Sequence, residues 1–208
     1  RDGKPLYVGV QTAEKVPKRL KLVARGTSGH GSMPRMDNPI VHLAAAVAKV
    51  GAYQPPMKLN DTTRTYFQRL AEISTPEEAF LLKHIEHPEI GPVVEESFRR
   101  SKDAAHVAYN SMLRSSISPN MVNGGFRVNV IPGDATAVLD VRILPGEDVE
   151  QLKAELRRII DDPSVEVADY EASGFPDASA TRLDTDFFRA LENAQKKVFP
   201  EAITLPTM

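Results

Sequence analysis

The sequence predicts an α+β fold: an antiparallel four-stranded sheet with two helices on one face, interrupted by a helical insertion. Three observations carry this. Residues 19–25 and 135–144 alternate apolar and polar with the period of a strand that buries one face. Residues 38–51 and 147–160 carry apolar residues at helical spacing, each between start and stop signals. In order along the chain the elements read strand, helix, insertion, strand, strand, helix, strand, the pattern of a two-layer sandwich built from split β-α-β units, the ferredoxin-like arrangement.

Leu6-Tyr7-Val8-Gly9-Val10 is a short apolar run and reads as a buried strand outside that pattern. In Arg19 to Arg25, Leu20, Leu22 and Ala24 share one face, while Arg19, Lys21, Val23 and Arg25 share the wetter one. A glycine-rich loop follows, and then Asp37-Asn38-Pro39 opens a helix with an Asx cap and Pro in the first turn. Ile40, Val41, Leu43, Ala44, Val47 and Val50 form its apolar stripe, and Gly51 suits its stop. From about 62 to 109 the pattern is helical and polar, cut into short pieces by Pro76, Pro88 and Pro92.

Strand character returns at 111–118, with turn signals at Pro119-Asn120 and Asn123-Gly124-Gly125. Phe126 to Ile131 alternates again, and Pro132-Gly133 turns the chain into the clearest strand, with Ala135, Ala137, Leu139, Val141 and Ile143 on one face. Glu147-Asp148 opens a second helix striped by Val149, Leu152, Leu156, Ile159 and Ile160. One more strand is expected at 165–168, a helix runs from Thr185 to Val198, and Ile203-Thr204-Leu205 begins a further extended segment.

Composition is that of an ordinary globular chain: 41% apolar and 26% charged over 208 residues. A net charge of −2 without a dominant basic patch argues against a nucleic-acid partner. The absence of Cys rules out disulfides and thiolate metal sites. No apolar run approaches the length of a membrane span, so no membrane partner is expected. The chain opens on Arg1 without Met, so any signal peptide is expected outside it; the compartment stays open, with the cytoplasm as the expectation.

The chemistry concentrates in Gly26-Thr27-Ser28-Gly29-His30-Gly31-Ser32. Flanking glycines at 29 and 31 permit φ values closed to other residues and close backbone approach, which leaves the His30 ring free to act on something outside its own core. The competing reading is a plain surface turn. Asn129, polar amid apolar neighbours, can bind a substrate amide or carboxylate, or simply bond its own turn. Arg142 shares a strand face with Asp140; its guanidinium suits a substrate carboxylate, or else forms a weak surface pair with Asp140. A simple hairpin at Pro132-Gly133 places Asn129 and Arg142 roughly 20 Å apart at about 3.3 Å per residue, so a shared site requires Asn129 on a loop that leaves the ladder. His84 and His87 lack the spacing of a zinc-protease helix and Pro88 follows at once; His42 and His106 read as structural. No cluster supplies the three or four ligands of a zinc site.

Taken together, Ser28-Gly29-His30-Gly31-Ser32, Asn129-Val130-Ile131-Pro132 and Asp140-Val141-Arg142 resemble the M20 family of zinc-dependent peptidases and amidohydrolases, and specifically its dimerisation (lid) domain. Gly9 to Lys15 resembles that family's crossing from catalytic domain into lid. The resemblance implies residues 1–17 as a stub of the catalytic domain, 18–172 as the lid with a helical insertion at about 60–110, and 173–208 as the return. It also implies a homodimer, a peptide or N-acyl amino acid substrate, and two zinc ions that hold a hydroxide in a separate domain. His30 would then reach into the partner's active site and polarise the scissile carbonyl, with Asn129 and Arg142 binding substrate and Arg142 on its carboxylate. The family's His-x-Asp and Asp-Glu-Glu metal ligands are missing from these 208 residues, so this stretch alone is expected to hold no metal and to be inactive. The alternatives are a non-catalytic association module and a small-molecule regulatory domain of similar topology.

Overall fold

The computed structural model describes residues 3–170 and 179–208. Its elements are β1 (Tyr7–Gln11), β2 (Val16–Arg25), β3 (Gly29–His30), α1 (Pro39–Ala52), α2 (Asp61–Leu70), α3 (Pro76–Lys83), α4 (Gly91–Arg100), α5 (Ala104–Met112), β4 (Ser116–Gly124), β5 (Val130–Ile131), β6 (Asp134–Ile143), α6 (Val149–Ile160), β7 (Val165–Asp169), α7 (Asp186–Val198) and β8 (Ile203–Thr207). They fall into two compact units, one of residues 16–55 and 115–170, the other of residues 3–15, 56–114 and 179–208. The expected boundary at 172–173 lies outside the described residues.

In the first unit the sheet is antiparallel, in the order β4-β6-β2-β7. The β2–β6 ladder runs from Val16 opposite Ile143 to Arg25 opposite Asp134. Leu20, Leu22 and Ala24 of β2, Ala135 to Ile143 at alternate positions of β6, and Val165 and Val167 of β7 share one core with Leu43, Ala46 and Val50 of α1 and Leu156 and Ile160 of α6. Strand periodicity alone sorted those residues onto one face, and removing them from water holds the layers together. Each fully buried Leu contributes roughly 1.5–3 kcal/mol. Both helices start where side-chain caps are available: Asn38 accepts from the Ile40 N–H at 3.0 Å and Asp148 from the Glu150 N–H at 2.9 Å.

Several expectations need correction here. The stripe of α1 is only partly buried: Ile40 and Val41 are 41% and 61% exposed, because Ile40 stands over Gly124 at the edge strand β4, where no further strand follows. The helix also runs through Gly51 to Ala52. Val23, placed on the wetter face, is buried. Strand β4 begins at Ser116, since 111 and 112 complete α5. Pro119 and Asn120 lie within it rather than turning the chain. An edge strand tolerates a residue without an N–H, and the register shift between Pro119 and Met121 absorbs the extra residue. Of the strand expected at 126–131 only Val130–Ile131 is paired, while Phe126 and Val128 are fully or largely exposed.

The second unit has its own core. β1 and β8 pair in parallel, with Tyr7 opposite Ile203 and Gln11 opposite Thr207. Tyr66, Phe67, Leu70, Leu82, Ile85, Val94, Phe98, Leu113 and Leu205 pack together, with Phe67 edge-on to Tyr66 and stacked on Phe98. Two of the three prolines that cut the helical stretch serve as first-turn residues, Pro76 in α3 behind the Thr75 cap and Pro92 in α4, while Pro88 lies in the turn between those helices. The sequence attached this stretch to the lid as an insertion; by packing it groups with the two ends of the chain, because Leu205 and Ile203 of β8 join its core.

Candidate functional site

The loop from 26 to 38 crosses over itself at its base. A Cβ on Gly26 would lie 1.9 Å from the Asp37 carbonyl oxygen, so only glycine allows that crossing. The Asp37 carboxylate closes it, accepting from the Thr27 N–H at 3.0 Å and from Arg35 Nε at 2.9 Å. These donors, Thr27 first, hold its carboxyl far below the usual carboxylate range.

Beyond the crossing, β3 pairs with β5, placing Gly29 opposite Ile131 and His30 opposite Val130. The Gly31 N–H donates to the Asn129 carbonyl at 2.8 Å. A Cβ on Gly31 would meet the Asn129 backbone at 3.3 Å, so the glycine serves close approach. The left-handed φ anticipated for Gly29 and Gly31 is not used; among the described glycines it occurs at Gly3, Gly125 and Gly146. His30 and Asn129, nearly 100 positions apart, are thus neighbours on a small ladder outside the main sheet.

The His30 ring is exposed but oriented. The Ser32 N–H donates to Nδ1 at 3.2 Å, and Ser32 Oγ lies 2.8 Å from the same atom. With Nδ1 accepting, the proton of the neutral ring sits on Nε2, which has no partner among the described residues. The Asn129 side-chain amide likewise bonds none of the described residues, so it is not consumed by its own turn. Beside them opens a cleft of about 660 Å³ lined by Gly31, Pro34, Ile40, Phe126, Arg127 and Val128 among others. Its walls are polar and apolar in about equal measure, and among the described residues Arg127 brings the only charged side chain of its lining.

Arg142 is elsewhere. It lies opposite Pro17 of β2 and Ser116 of β4, whereas the end of β6 next to the His30 loop is Asp134, opposite Arg25. From 134 to 142 is roughly 26 Å at about 3.3 Å per residue. Asn129 does leave the ladder, as a shared site would require, but it leaves toward His30 and away from Arg142. The Arg142 guanidinium forms a two-pronged pair with Asp140, Nε to Oδ1 at 2.8 Å and Nη2 to Oδ2 at 3.1 Å, half exposed on the sheet surface.

One residue read as structural stands at the root of the loop. His42 Nδ1 lies 2.5 Å from Asp162 Oδ2 and its Nε2 is 3.1 Å from the Met36 carbonyl. No local sequence signal points to this, since Asp162 is 120 positions away. His84 Nδ1 is taken by the Phe80 carbonyl at 2.7 Å. Among the described residues no three His, Asp or Glu converge on a metal position, and no helix is long and apolar enough to cross a membrane. The described residues therefore offer no ligand set for a metal ion.

An open four-stranded sheet, two helices on one face and a loop holding an imidazole away from the core define a two-layer α+β domain. Residues 12–168 match the M20 peptidase dimerisation domain, and the chain belongs to that family. It is 28% identical over 207 residues to the probable carboxypeptidase S-like 2 of Dictyostelium discoideum, covering 99% of this chain and 38% of that protein. It is 28% identical over 211 residues to the human N-fatty-acyl-amino acid synthase/hydrolase PM20D1, covering 98% and 39%. Among solved structures it is similar to the M20 family metallo-carboxypeptidase Sso-CP2 from Sulfolobus solfataricus, with a TM-score of 0.59 and 17% identity over 99% of this chain and 54% of that one. Human carnosine dipeptidase 1 gives a TM-score of 0.54 and 16% identity over 97% and 45%. These two likenesses concern the fold. The chain spans about two fifths of the length of the curated relatives it matches.

Proposed function

We propose that this chain is the dimerisation (lid) portion of an M20-type hydrolase that cleaves amide bonds of peptides or N-acyl amino acids. His30 is its contribution to the chemistry. The observation that carries the reading is the pinned ring: Nδ1 is engaged by Ser32 and Nε2–H is left to donate. A donor held at that place can stabilise negative charge developing on a scissile carbonyl oxygen, an effect that preorganised donors supply at about 2.7–4 kcal/mol each. Asn129, one backbone hydrogen bond from Gly31, orients the same substrate through its free amide. Metal ions, two zincs by family resemblance, would be held by residues other than these. Names of relatives that mention carboxypeptidase and N-fatty-acyl-amino acid hydrolase favour amide substrates with a free carboxylate.

Self-association through β4 and the adjacent part of α1 is supported by what they leave uncovered. β4 is an edge strand with no partner strand on its outer side among the described residues, and Met121, Val122, Ile40 and Val41 are 41–63% exposed. In such a homodimer Arg142 would bind the substrate carboxylate in one site while His30 and Asn129 serve the other, a division that their separation within one protomer supports. We read the sheet order as ferredoxin-like, and residues 1–17 and 173–208 as belonging to the catalytic domain. The shared core of β8 and the helical stretch supports adding residues 56–114 to that body. In the full-length protein, His30→Ala is expected to lower turnover about 10²–10³-fold with metal content and dimerisation unchanged. Unaltered turnover would return the chain to a non-catalytic association module.

A further inference from the structure

Both roots of the His30 loop are fastened to one turn, the segment 161–164 between α6 and β7. The entering root is fastened by backbone alone: the Arg25 N–H donates to the Ser164 carbonyl at 3.1 Å. The leaving root is fastened through a side chain, for His42 bridges the Met36 carbonyl at 3.1 Å and the Asp162 carboxylate at 2.5 Å. Asp162 is itself held by the Ser164 N–H at 2.9 Å. Both partners of the His42 ring are acceptors without a proton to give. A neutral imidazole has one N–H and satisfies one of them; an imidazolium satisfies both. From this geometry we infer that His42 is a positioning residue, a protonation-dependent latch that holds the loop carrying His30 in register with the α6–β7 turn. The inference deepens the reading of His30 as a catalytic residue and rests on it for its consequence in activity, though not for the latch itself.

The charged groups facing the ring are few. Asp162 approaches from the turn and Asp37 from the loop. The basic side chains on the same segments are directed elsewhere, Arg35 to Asp37 and Lys49 to the Ile160 carbonyl. The Asp162 contact, followed by the Met36 carbonyl and Asp37, raises the His42 pKa above its ordinary value, against the opposing effect of partial burial; the same contact lowers that of Asp162. Because the His42 value is raised by folding, the latch is fully made below the unfolded-state pKa and is lost as pH rises through the folded one. Above it the ring keeps the Asp162 contact or the Met36 contact, and the leaving root is freed.

Hydrogen–deuterium exchange of the full-length protein tests this, with exchange in the 27–38 segment corrected for the intrinsic pH dependence. In the wild type, loop exchange is expected to accelerate roughly fivefold from about pH 6 to about pH 9, the change that one lost hydrogen bond produces, while α6 and β6 stay protected. His42→Gln is expected to show the fast rate already at the lower pH, with no further rise. His42→Arg, which keeps its charge and donates to both acceptors, is expected to stay slow at both. Asp162→Asn attacks the latch from its other side and serves if His42→Gln does not fold. Loop exchange in His42→Gln or Asp162→Asn equal to wild type, or with the wild-type pH dependence, overturns the latch. Turnover of His30→Ala separates the two ideas: a fully active His30→Ala with latch-dependent exchange intact removes the catalytic reading and leaves the latch standing.

Discussion

The two ends of strand β6 carry the polar residues of interest, and they are finished differently. At the Asp134 end the chain leaves the sheet, and a separate two-residue ladder holds His30, with Asn129 beside it through the Gly31 N–H, leaving Nε2 and the side-chain amide without a partner among the described residues. At the Arg142 end the guanidinium already has a carboxylate, Asp140, two residues away on its own face. The first arrangement uses backbone hydrogen bonds to position two exposed side chains whose remaining polar groups face solvent and stay open to a ligand. The second is satisfied by Asp140 as it stands, so on the proposed reading a substrate carboxylate would have to displace Asp140. One end is preorganised and the other is an exchangeable ion pair, and mutations should tell them apart.

The largest effect should come from the preorganised end. Beyond His30→Ala itself, mixing His30→Ala subunits with subunits whose catalytic metal site is disabled should restore measurable turnover through hybrid dimers. An inert mixture despite demonstrated subunit exchange would place His30 in its own subunit's site. Next comes Gly26→Ala, whose new methyl meets the Asp37 carbonyl. It should cost about 1–3 kcal/mol in thermal or denaturant unfolding, the usual penalty of forced overpacking, and lower turnover along with it. Stability within a few tenths of wild type would mean that the crossing relaxes freely.

At the exchangeable end the effects should be smaller and selective. Arg142→Ala should raise KM about 10- to 100-fold for substrates with a free carboxylate, as loss of a charged hydrogen bond does, and leave carboxamide analogues nearly unaffected. Equal losses on both would reject the carboxylate role. Asp140→Asn removes the internal competitor. Since both side chains are substantially exposed, it should change stability by less than about 1 kcal/mol and lower KM for carboxylate substrates rather than raise it. An increase would make Asp140 a support for Arg142 instead of its rival.

Much of the sheet unit was legible because its signal is local. Alternation over 135–143 named the buried face of β6 residue by residue, and the Asn38-Pro39 cap and the acidic Glu147-Asp148 pair placed both helix starts. Errors arose where neighbours in space decide. Ile40 and Val41 have the spacing of core residues but overhang an edge strand. Pro119 and Asn120 look like a turn, yet an outer strand has no need of every N–H. Phe126 and Val128 alternate like a strand but find no ladder. At the site, His30 stood out by its flanking glycines, although the glycine on which the crossing depends is Gly26, and His42 carried no mark at all because its acceptor lies 120 positions away, in the turn after α6.

Periodicity, caps and the glycine–histidine loop are properties of short stretches, and from the amino-acid order alone they determined the elements, the buried face of the sheet and the candidate imidazole. What only the tertiary structure decided is pairing between distant stretches: that Asn129 joins His30 while Arg142 does not, that the helical stretch shares its core with β8, and that His42 meets Asp162. The physical reason is that hydrogen bonds and apolar contacts act over a few ångströms of space, whatever the distance along the chain, so a residue's partners are set by the packing of whole layers rather than by its own neighbours in sequence.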